Sequence, residues 1–297
     1  MNSASQQISI VIPARNEAAP LATLLPEVRR QVPDAEIIVV DDGSSDGTHT
    51  VAEQHGVRVI SHPYPMGNGA AIKSGARAAR GDIIVFMDGD GQHLPEDIPR
   101  LLEKIDAGYD MAVGARVRGT HAGMHRAVAN DVFSRFASWM VMQSIDDLTS
   151  GFRAVRASKF LQFLYLLPNG FSYPTTITMS FFRAGYGVAY VPIHAQERQG
   201  KSHIRPLRDG VRFLLIIIKI GTLYSPQKLF LPVSASFFLT GLGYYLYTYF
   251  TTGRLTNMSV LLFIAAILTF LIGIVSEQIS ALHYKGLDEH RDPERHV

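Results

Sequence analysis

Short apolar runs alternate with stretches of helical period through the first half of the chain. Residues 8–12, 36–40, 57–60 and 82–87 are Ile- and Val-rich runs bounded by polar or Gly-containing segments, and they predict strands. Residues 18–30, 45–54 and 69–80 carry helical patterns between them. Strands alternating with helices require crossovers, so the expected fold class is α/β with a Rossmann-like, mostly parallel sheet. Ligands of such sheets sit at the carboxyl ends of the strands. The distinctive loops all fall there: Pro13-Ala14-Arg15-Asn16-Glu17, Asp41-Asp42-Gly43-Ser44-Ser45-Asp46-Gly47-Thr48 and Asp88-Gly89-Asp90-Gly91-Gln92.

The pattern changes towards the C-terminus. Residues 229–250 are apolar or aromatic apart from Ser, Thr and small residues, with Pro232 near their start. Residues 258–281 are largely apolar as far as Val275 and then carry Glu277 and Gln278. Each stretch, at about 20 residues, is long enough to cross roughly 30 Å of hydrocarbon as a helix. The Tyr-rich end at 244–249 fits an aromatic belt. The link at 251–257 holds one Arg, while Arg205, Arg208, Arg212, Lys219 and Lys228 precede the spans and Lys285, Arg291 and Arg295 follow them. That asymmetry places both termini in the cytoplasm. Over residues 204–224, Arg205, Arg208, Arg212 and Lys219 share one helical face and Leu207, Val211, Leu214 and Ile218 another, as in an amphipathic helix lying in the membrane interface. The expected organisation is a cytoplasmic domain over 1–203, a juxtamembrane region over 204–226, two transmembrane helices over 227–283 and a cytoplasmic tail over 284–297.

Composition narrows the chemistry. The 297 residues carry a net charge of +2 and no Cys, which rules out disulfides, thiolate zinc sites and Cys nucleophiles. Mean hydropathy of +0.10 is high for a soluble enzyme. Residues 1–7 lack both a basic start and an apolar core, so no signal peptide is read and the first domain is expected to stay in the cytoplasm. No nucleic-acid partner is expected, and the oligomeric state, a homo-oligomer included, stays open.

Asp88 and Asp90 are the first chemical signal. They follow the run Ile83-Ile84-Val85-Phe86-Met87, spaced by one residue in a glycine-relieved turn. Carboxylate and amide oxygens there suit a hard divalent cation, Mg2+ or Mn2+, that keeps positions open for substrate phosphates. The alternative is an acidic turn that only closes a strand. An EF-hand is excluded, because His93 stands where that loop needs Gly and Pro99 where it needs Glu. Gly200-Lys201-Ser202 ends like a P-loop, but Ala195 replaces its first Gly; Gly67-Asn68-Gly69 opens like a dinucleotide loop, but Ile72 replaces its last. His121 and His125 have a zinc-compatible spacing without the Glu that would follow the first.

The ordered set of motifs resembles the family 2 glycosyltransferases of GT-A fold, in the branch similar to dolichol-phosphate mannose synthase and bacterial polyprenyl-phosphate glycosyltransferases. Its landmarks are residues 12–17, 41–48 and 67–69, Asp88 to His93, Val113-Gly114-Ala115-Arg116, Asp147-Leu148-Thr149-Ser150-Gly151-Phe152-Arg153 and Arg198-Gln199-Gly200-Lys201-Ser202, spanning about residues 8 to 203. The resemblance implies that Pro13, Arg15, Asn16 and Glu17 line the nucleotide pocket and that Asp42 accepts a hydrogen bond from the base or ribose. It implies that Asp88, Asp90 and Gln92 hold the metal, with Gly89 between them at the donor, and that Arg198 and Lys201 clamp the donor phosphates. Arg15 stands where relatives often carry an aromatic; a guanidinium can also stack on a base.

The acceptor side is read from Arg116, Arg126 and Arg153, because forked guanidinium donors match phosphate oxygens. Asp147 is either an acid or base or an orienting residue; an acceptor that is already anionic has little need of deprotonation. The Gln-x-x-Arg-Trp motif of processive synthases is absent, since the single Trp, Trp139, follows Ser138. The expected activity is therefore one inverting, metal-dependent transfer of a sugar from a UDP- or GDP-linked donor to a polyprenyl phosphate, undecaprenyl or dolichyl. A different lipid acceptor such as diacylglycerol, and a non-catalytic membrane scaffold, are the competing readings.

Overall fold

The four apolar runs form strands β1 (Ile8–Ala14), β2 (Glu36–Asp41), β3 (Arg58–Ser61) and β4 (Ile83–Phe86). β5 (Met111–Arg116), β6 (Arg153–Arg156) and β7 (Val188–Ile193) complete a seven-stranded sheet in the order β3-β2-β1-β4-β6-β5-β7. Only β6 runs antiparallel to its neighbours. This computed structural model describes residues 6–117, 134–170, 173–194, 218 and 221–289. The chain divides into two units, Met1–Ser202 and His203–Val297. β5 to β7 carry weak periodicity: β6 is four residues with Arg at both ends, and β7 contains Pro192. Pro192 is tolerated because β7 is an edge strand, where a missing N–H breaks no interior ladder.

Helices α1 (Ala18–Gln31), α2 (Thr48–Gln54), α3 (Asn68–Ala78) and α4 (Ile98–Asp106) fill the crossovers. α1 buries Leu21, Leu24, Leu25 and Val28, the spacing of a single helical stripe. Together with Ile98, Leu101 and Ile105 of α4 they join Ile10, Ile12, Val39 and Val85 in one core. Successive strand residues face opposite sides, so Val11 and Val40 point the other way, towards α3. There Gly75 lets the helix lie directly on the sheet; a Cβ at that position would collide with the Val11 side chain. Both faces of the central strands are thus covered, and their polar business is confined to the strand ends.

The second unit contains two helices, Pro226–Thr252 and Asn257–Glu289, joined through Gly253 in the left-handed region at φ +65°. Over Pro226–Thr252 and Asn257–Leu282 both are long and apolar enough to cross a membrane. Beyond Pro226 at the start of the first helix, their described buried positions are small: Ser234, Gly241 and Thr248 on the first, Ser259, Ala266, Gly273 and Ser280 on the second. Both sets recur every seventh residue, which keeps one seam facing the partner helix. Small residues on that seam let the backbones approach closely. A Cβ on Gly241 would lie 3.0 Å from Leu262 Cβ, and one on Gly273 2.8 Å from Phe230 Cβ. Ser234 Oγ donates to the Ala266 carbonyl at 2.8 Å. Glu277, the charge that interrupts the second apolar run, accepts the Gln227 N–H at 3.4 Å in the first turn of the first helix, where the helix dipole favours an anion. The expected interfacial helix at 204–224 lies outside the described residues except for 218 and 221–224.

Candidate active site

Three loops meet at the carboxyl ends of β1, β2 and β4. Asn16 links the first two. It sits at φ +56°, a backbone region that Asn tolerates better than most residues. Its N–H donates to Ser44 Oγ at 3.0 Å, and its Oδ1 accepts the Ser45 N–H at 2.8 Å. Glu17 N–H donates to Thr48 Oγ1 at 2.9 Å and Ala18 N–H to Asp46 Oδ2 at 3.2 Å, so the second loop caps the start of α1. Pro13 is buried on β1, and its carbonyl accepts the Gly89 N–H at 3.3 Å, which seats the third loop on the first. Arg15 is exposed.

Asp42 is buried and serves as a loop anchor. Its carboxylate accepts the Met66 and Gly67 N–H groups, each at 2.8 Å, and meets His62 Nδ1 at 2.7 Å. Burial raises its carboxyl, but the bonds from His62, Met66 and Gly67 outweigh burial and hold it below the usual carboxylate range. Three of its roughly four lone-pair sites are thereby taken.

Asp88 and Asp90 stand just beyond β4, both partly buried. Burial pushes the Asp88 carboxyl up, and the Asp90 charge adds to this; His93, a hydrogen bond from Asn68 and the charge of Arg153 oppose it. Gln92 Nε2 donates to Asp90 Oδ2 at 2.6 Å and Gln92 N–H to Asp90 Oδ1 at 3.2 Å. Two mutually repelling carboxylates with an amide beside them make an all-oxygen donor set that fits Mg2+ or Mn2+. Among the described residues no group of three or more His, Cys, Asp or Glu side chains forms such a site. A cation held here therefore relies on the Gln92 amide and on substrate oxygens. His93 is buried behind the turn, stacked on Phe152 with ring centroids 5.0 Å apart, and faces the Asp88 N–H through Nδ1 at 3.4 Å.

The turn from Asp147 to Arg153 lies against Asp88. A Cβ on Gly151 would sit 2.9 Å from Asp88 Oδ2, so a larger residue there would displace the Asp88 carboxylate. Asp147 is almost fully buried and grips Arg116, at the end of β5, through Nε at 2.7 Å and Nη2 at 3.0 Å. It also accepts the Thr149 and Ser150 N–H groups at 3.0 and 3.2 Å. Burial raises its carboxyl, but the Arg116 hydrogen bond and charge prevail, leaving it below the usual range. Arg116 itself is half-exposed, and its charge reaches Asp88.

Arg153, expected at the acceptor phosphate, is fully buried on β6. Its guanidinium donates to Ser150 O, to Pro174 O at 3.2 Å and to Thr178 Oγ1 at 3.1 Å. Helix Tyr173–Arg183 thus supplies two of its partners. Arg126, Arg198 and Lys201 lie outside the described residues. The residues missed from sequence are His62, Asn68, His93, Gly151 and Tyr173. Asn68, His93 and Gly151 stood inside recognised motifs, whereas His62 and Tyr173 carried no motif signal.

Residues 9–163 match the family model for glycosyl transferase family 2, and residues 225–282 the model for the GtrB C-terminal hairpin. Polyprenol monophosphomannose synthase of Mycolicibacterium smegmatis is 31% identical over 210 residues, 66% of this chain and 79% of that protein. Glycosyltransferase AglJ of Haloferax volcanii is 28% identical over 291 residues, 93% of this chain and 94% of that protein, hairpin included. Among solved structures, glucosyl-3-phosphoglycerate synthase from Mycobacterium tuberculosis, in complex with Mn2+, UDP-glucose and glycerol 3-phosphate, is 25% identical with a TM-score of 0.57, covering 73% of this chain and 79% of that one. Its likeness accounts for the sheet and for loops gathered at the strand ends. With residues 9–163 matched by the family model and the mycobacterial relative aligned over 66% of the chain, the chain belongs to glycosyl transferase family 2.

Proposed function

We propose that this glycosyltransferase moves a hexose from a nucleoside-diphosphate sugar to the phosphate of a polyprenol, with inversion, at the cytoplasmic face of a membrane. The observation that carries the reading is the closeness of two phosphate-directed devices, the Asp88–Asp90 pair and the Arg116 guanidinium, joined by the Asp147–Arg153 turn. The hairpin and the polyprenol-linked relative support a lipid acceptor.

In this mechanism an oxygen of the acceptor phosphate attacks the anomeric carbon. A carbon–oxygen bond forms on one face while the bond to the donor diphosphate breaks on the other, and the nucleoside diphosphate leaves with the electron pair. Asp88, Asp90 and Gln92 would hold Mg2+ or Mn2+, which neutralises charge growing on the departing diphosphate. Arg116, through the guanidinium donors that Asp147 and Thr149 leave, orients the acceptor phosphate together with Arg126. Asp147 holds Arg116 in place; its depressed carboxyl suits an anchor better than a base, and an anionic acceptor needs none. Pro13, Arg15, Asn16, Glu17 and Asp42 frame the nucleotide, and Arg198 and Lys201 close on its phosphates. Both termini face the cytoplasm.

The test uses purified full-length protein with Mn2+, a panel including GDP-mannose and UDP-glucose, and either polyprenyl phosphate or diacylglycerol. Equimolar polyprenyl-phosphate hexose and nucleoside diphosphate are the expected products. A product formed on diacylglycerol alone would overturn the acceptor assignment, and no product with any pair would favour a scaffold.

A further inference from the structure

Arg153 is a whole charge in the interior, beside the carboxylates proposed to hold the cation. Among the described residues its Nε has no hydrogen-bond partner. A buried charge with one donor left over is a poor way to gain stability, and such local violations concentrate at functional sites. We propose that Arg153 and Tyr173 are a positioning pair for the transfer, fixing the Ser150 and Gly151 carbonyls so that one rigid turn keeps Asp88 and Arg116 in register.

The turn is held from two sides. On one, Asp147 accepts the Thr149 and Ser150 N–H groups while gripping Arg116. On the other, Arg153 Nη2 donates to Ser150 O and Tyr173 Oη donates to Gly151 O at 3.0 Å. Both holders are themselves anchored. Arg153 Nη1 bonds the Pro174 carbonyl and Thr178 Oγ1 of helix Tyr173–Arg183, and the guanidinium lies 5.7 Å from the Tyr173 ring centroid. Burial raises the Tyr173 hydroxyl, which keeps it a neutral donor. Gly151 packs beside Asp88, where an added Cβ would stand 2.9 Å from Oδ2. Displacing this peptide therefore changes the immediate surroundings of the Asp88 carboxylate. The same turn carries Asp147 and, through it, Arg116. Donor-side and acceptor-side groups are thus set by one peptide segment, and that segment is set by Arg153 and Tyr173. Both residues are buried, so the role proposed for them is positioning.

The inference rests on the reading of Asp88 as a cation ligand, and its test has a readout independent of the acceptor. Full-length wild type, Tyr173→Phe, Arg153→Lys and Arg153→Met are compared for Mn2+ affinity by electron paramagnetic resonance in the presence of UDP or GDP and without acceptor, for kcat and both KM values, and for Tm. Tyr173→Phe keeps the ring and removes one bond to Gly151 O. Loss of such outer-shell support is expected to weaken Mn2+ affinity and lower kcat by roughly tenfold each. Donor KM should stay within about twofold. Arg153→Lys should retain more activity than Arg153→Met, since it keeps the charge and loses only the fork. If the Arg153 variants do not fold, Tyr173→Phe decides. A folded Tyr173→Phe with lowered Tm but wild-type Mn2+ affinity and kcat assigns the pair to packing alone and overturns the proposal. A wild type that binds no Mn2+ overturns it through the Asp88 reading. A wild type that binds Mn2+ yet transfers nothing to polyprenyl phosphate sinks the proposed acceptor, while the affinity ratios still decide the pair.

Discussion

Single side chains at this site divide into those that meet substrate and those that hold others still. Asp90 belongs to the first group in the proposed mechanism. Asp90→Asn removes one carboxylate without loss of volume, so transfer should nearly vanish while the fold survives, and excess EDTA should do the same to wild type. Full activity in EDTA would refute cation dependence. Asp147 belongs to the second group. An orienting role predicts that Asp147→Asn raises acceptor KM while the pH–rate profile keeps its shape; loss of the acidic limb would instead make Asp147 a base. Its titration also bears on stability. Asp42 and Asp147 have folded-state values below their unfolded ones, so the stability they contribute is fully present above about pH 4 and is lost as pH falls through the folded values. Tm measured against pH should therefore fall steeply in acid, and less steeply in Asp147→Asn.

Secondary elements here meet through glycine and other small residues at defined points. Gly75 sets α3 on β1, and Gly69 at the start of α3 leaves no room between it and the Pro168 carbonyl. The hairpin seam is the larger case. Gly241 and Gly273 each face a partner side chain at a distance that forbids a bulky residue. Overpacking of this kind typically costs about 1–3 kcal/mol. Gly273→Leu should therefore lower the Tm of the detergent-solubilised protein, whereas Leu271→Ala, on the exposed face, should change it little. Equal effects at both positions would place the seam elsewhere. The seven-residue recurrence was present in the sequence, but against a uniformly apolar background small residues give no amphipathic signal. Only the packed pair distinguishes seam from outer face.

For the molecule as a whole, the domain and the hairpin divide the work. The proposed acceptor keeps its tail in the bilayer and its phosphate at headgroup level, so an attached hairpin raises the local acceptor concentration without altering the chemistry. A chain ended at Ser202, at the boundary between the two units, should keep nucleotide-sugar binding if folded. It should lose most transfer to long-chain acceptor in vesicles and less with a short, soluble polyprenyl phosphate. Equal loss with both acceptors would mean that the C-terminal unit builds the site rather than positioning it.

The strands β1 to β4, helices α1 to α3, both apolar helices and the gathering of loops at strand ends were legible in the sequence, whereas α4 was not read. Each is governed by local periodicity or by a run of apolar residues, which neighbours in sequence suffice to express. The family resemblance followed because its motifs sit at those ends in order. What the sequence did not determine was which charged residue of a motif points outwards. Arg116 and Arg153 both lie in polar motifs and read alike. One is half-exposed and pairs with Asp147; the other is buried because β6 inserts antiparallel between β4 and β5 and helix Tyr173–Arg183 supplies Pro174 O and Thr178 Oγ1 above it. The same folding presses Gly151 against Asp88 and engages Asp42 with His62. These contacts join residues 20 to 63 positions apart along the chain, so their partners emerge only when the sheet is assembled. That is why the family and the core of the fold could be read in one dimension, and the surroundings of each charge only in three.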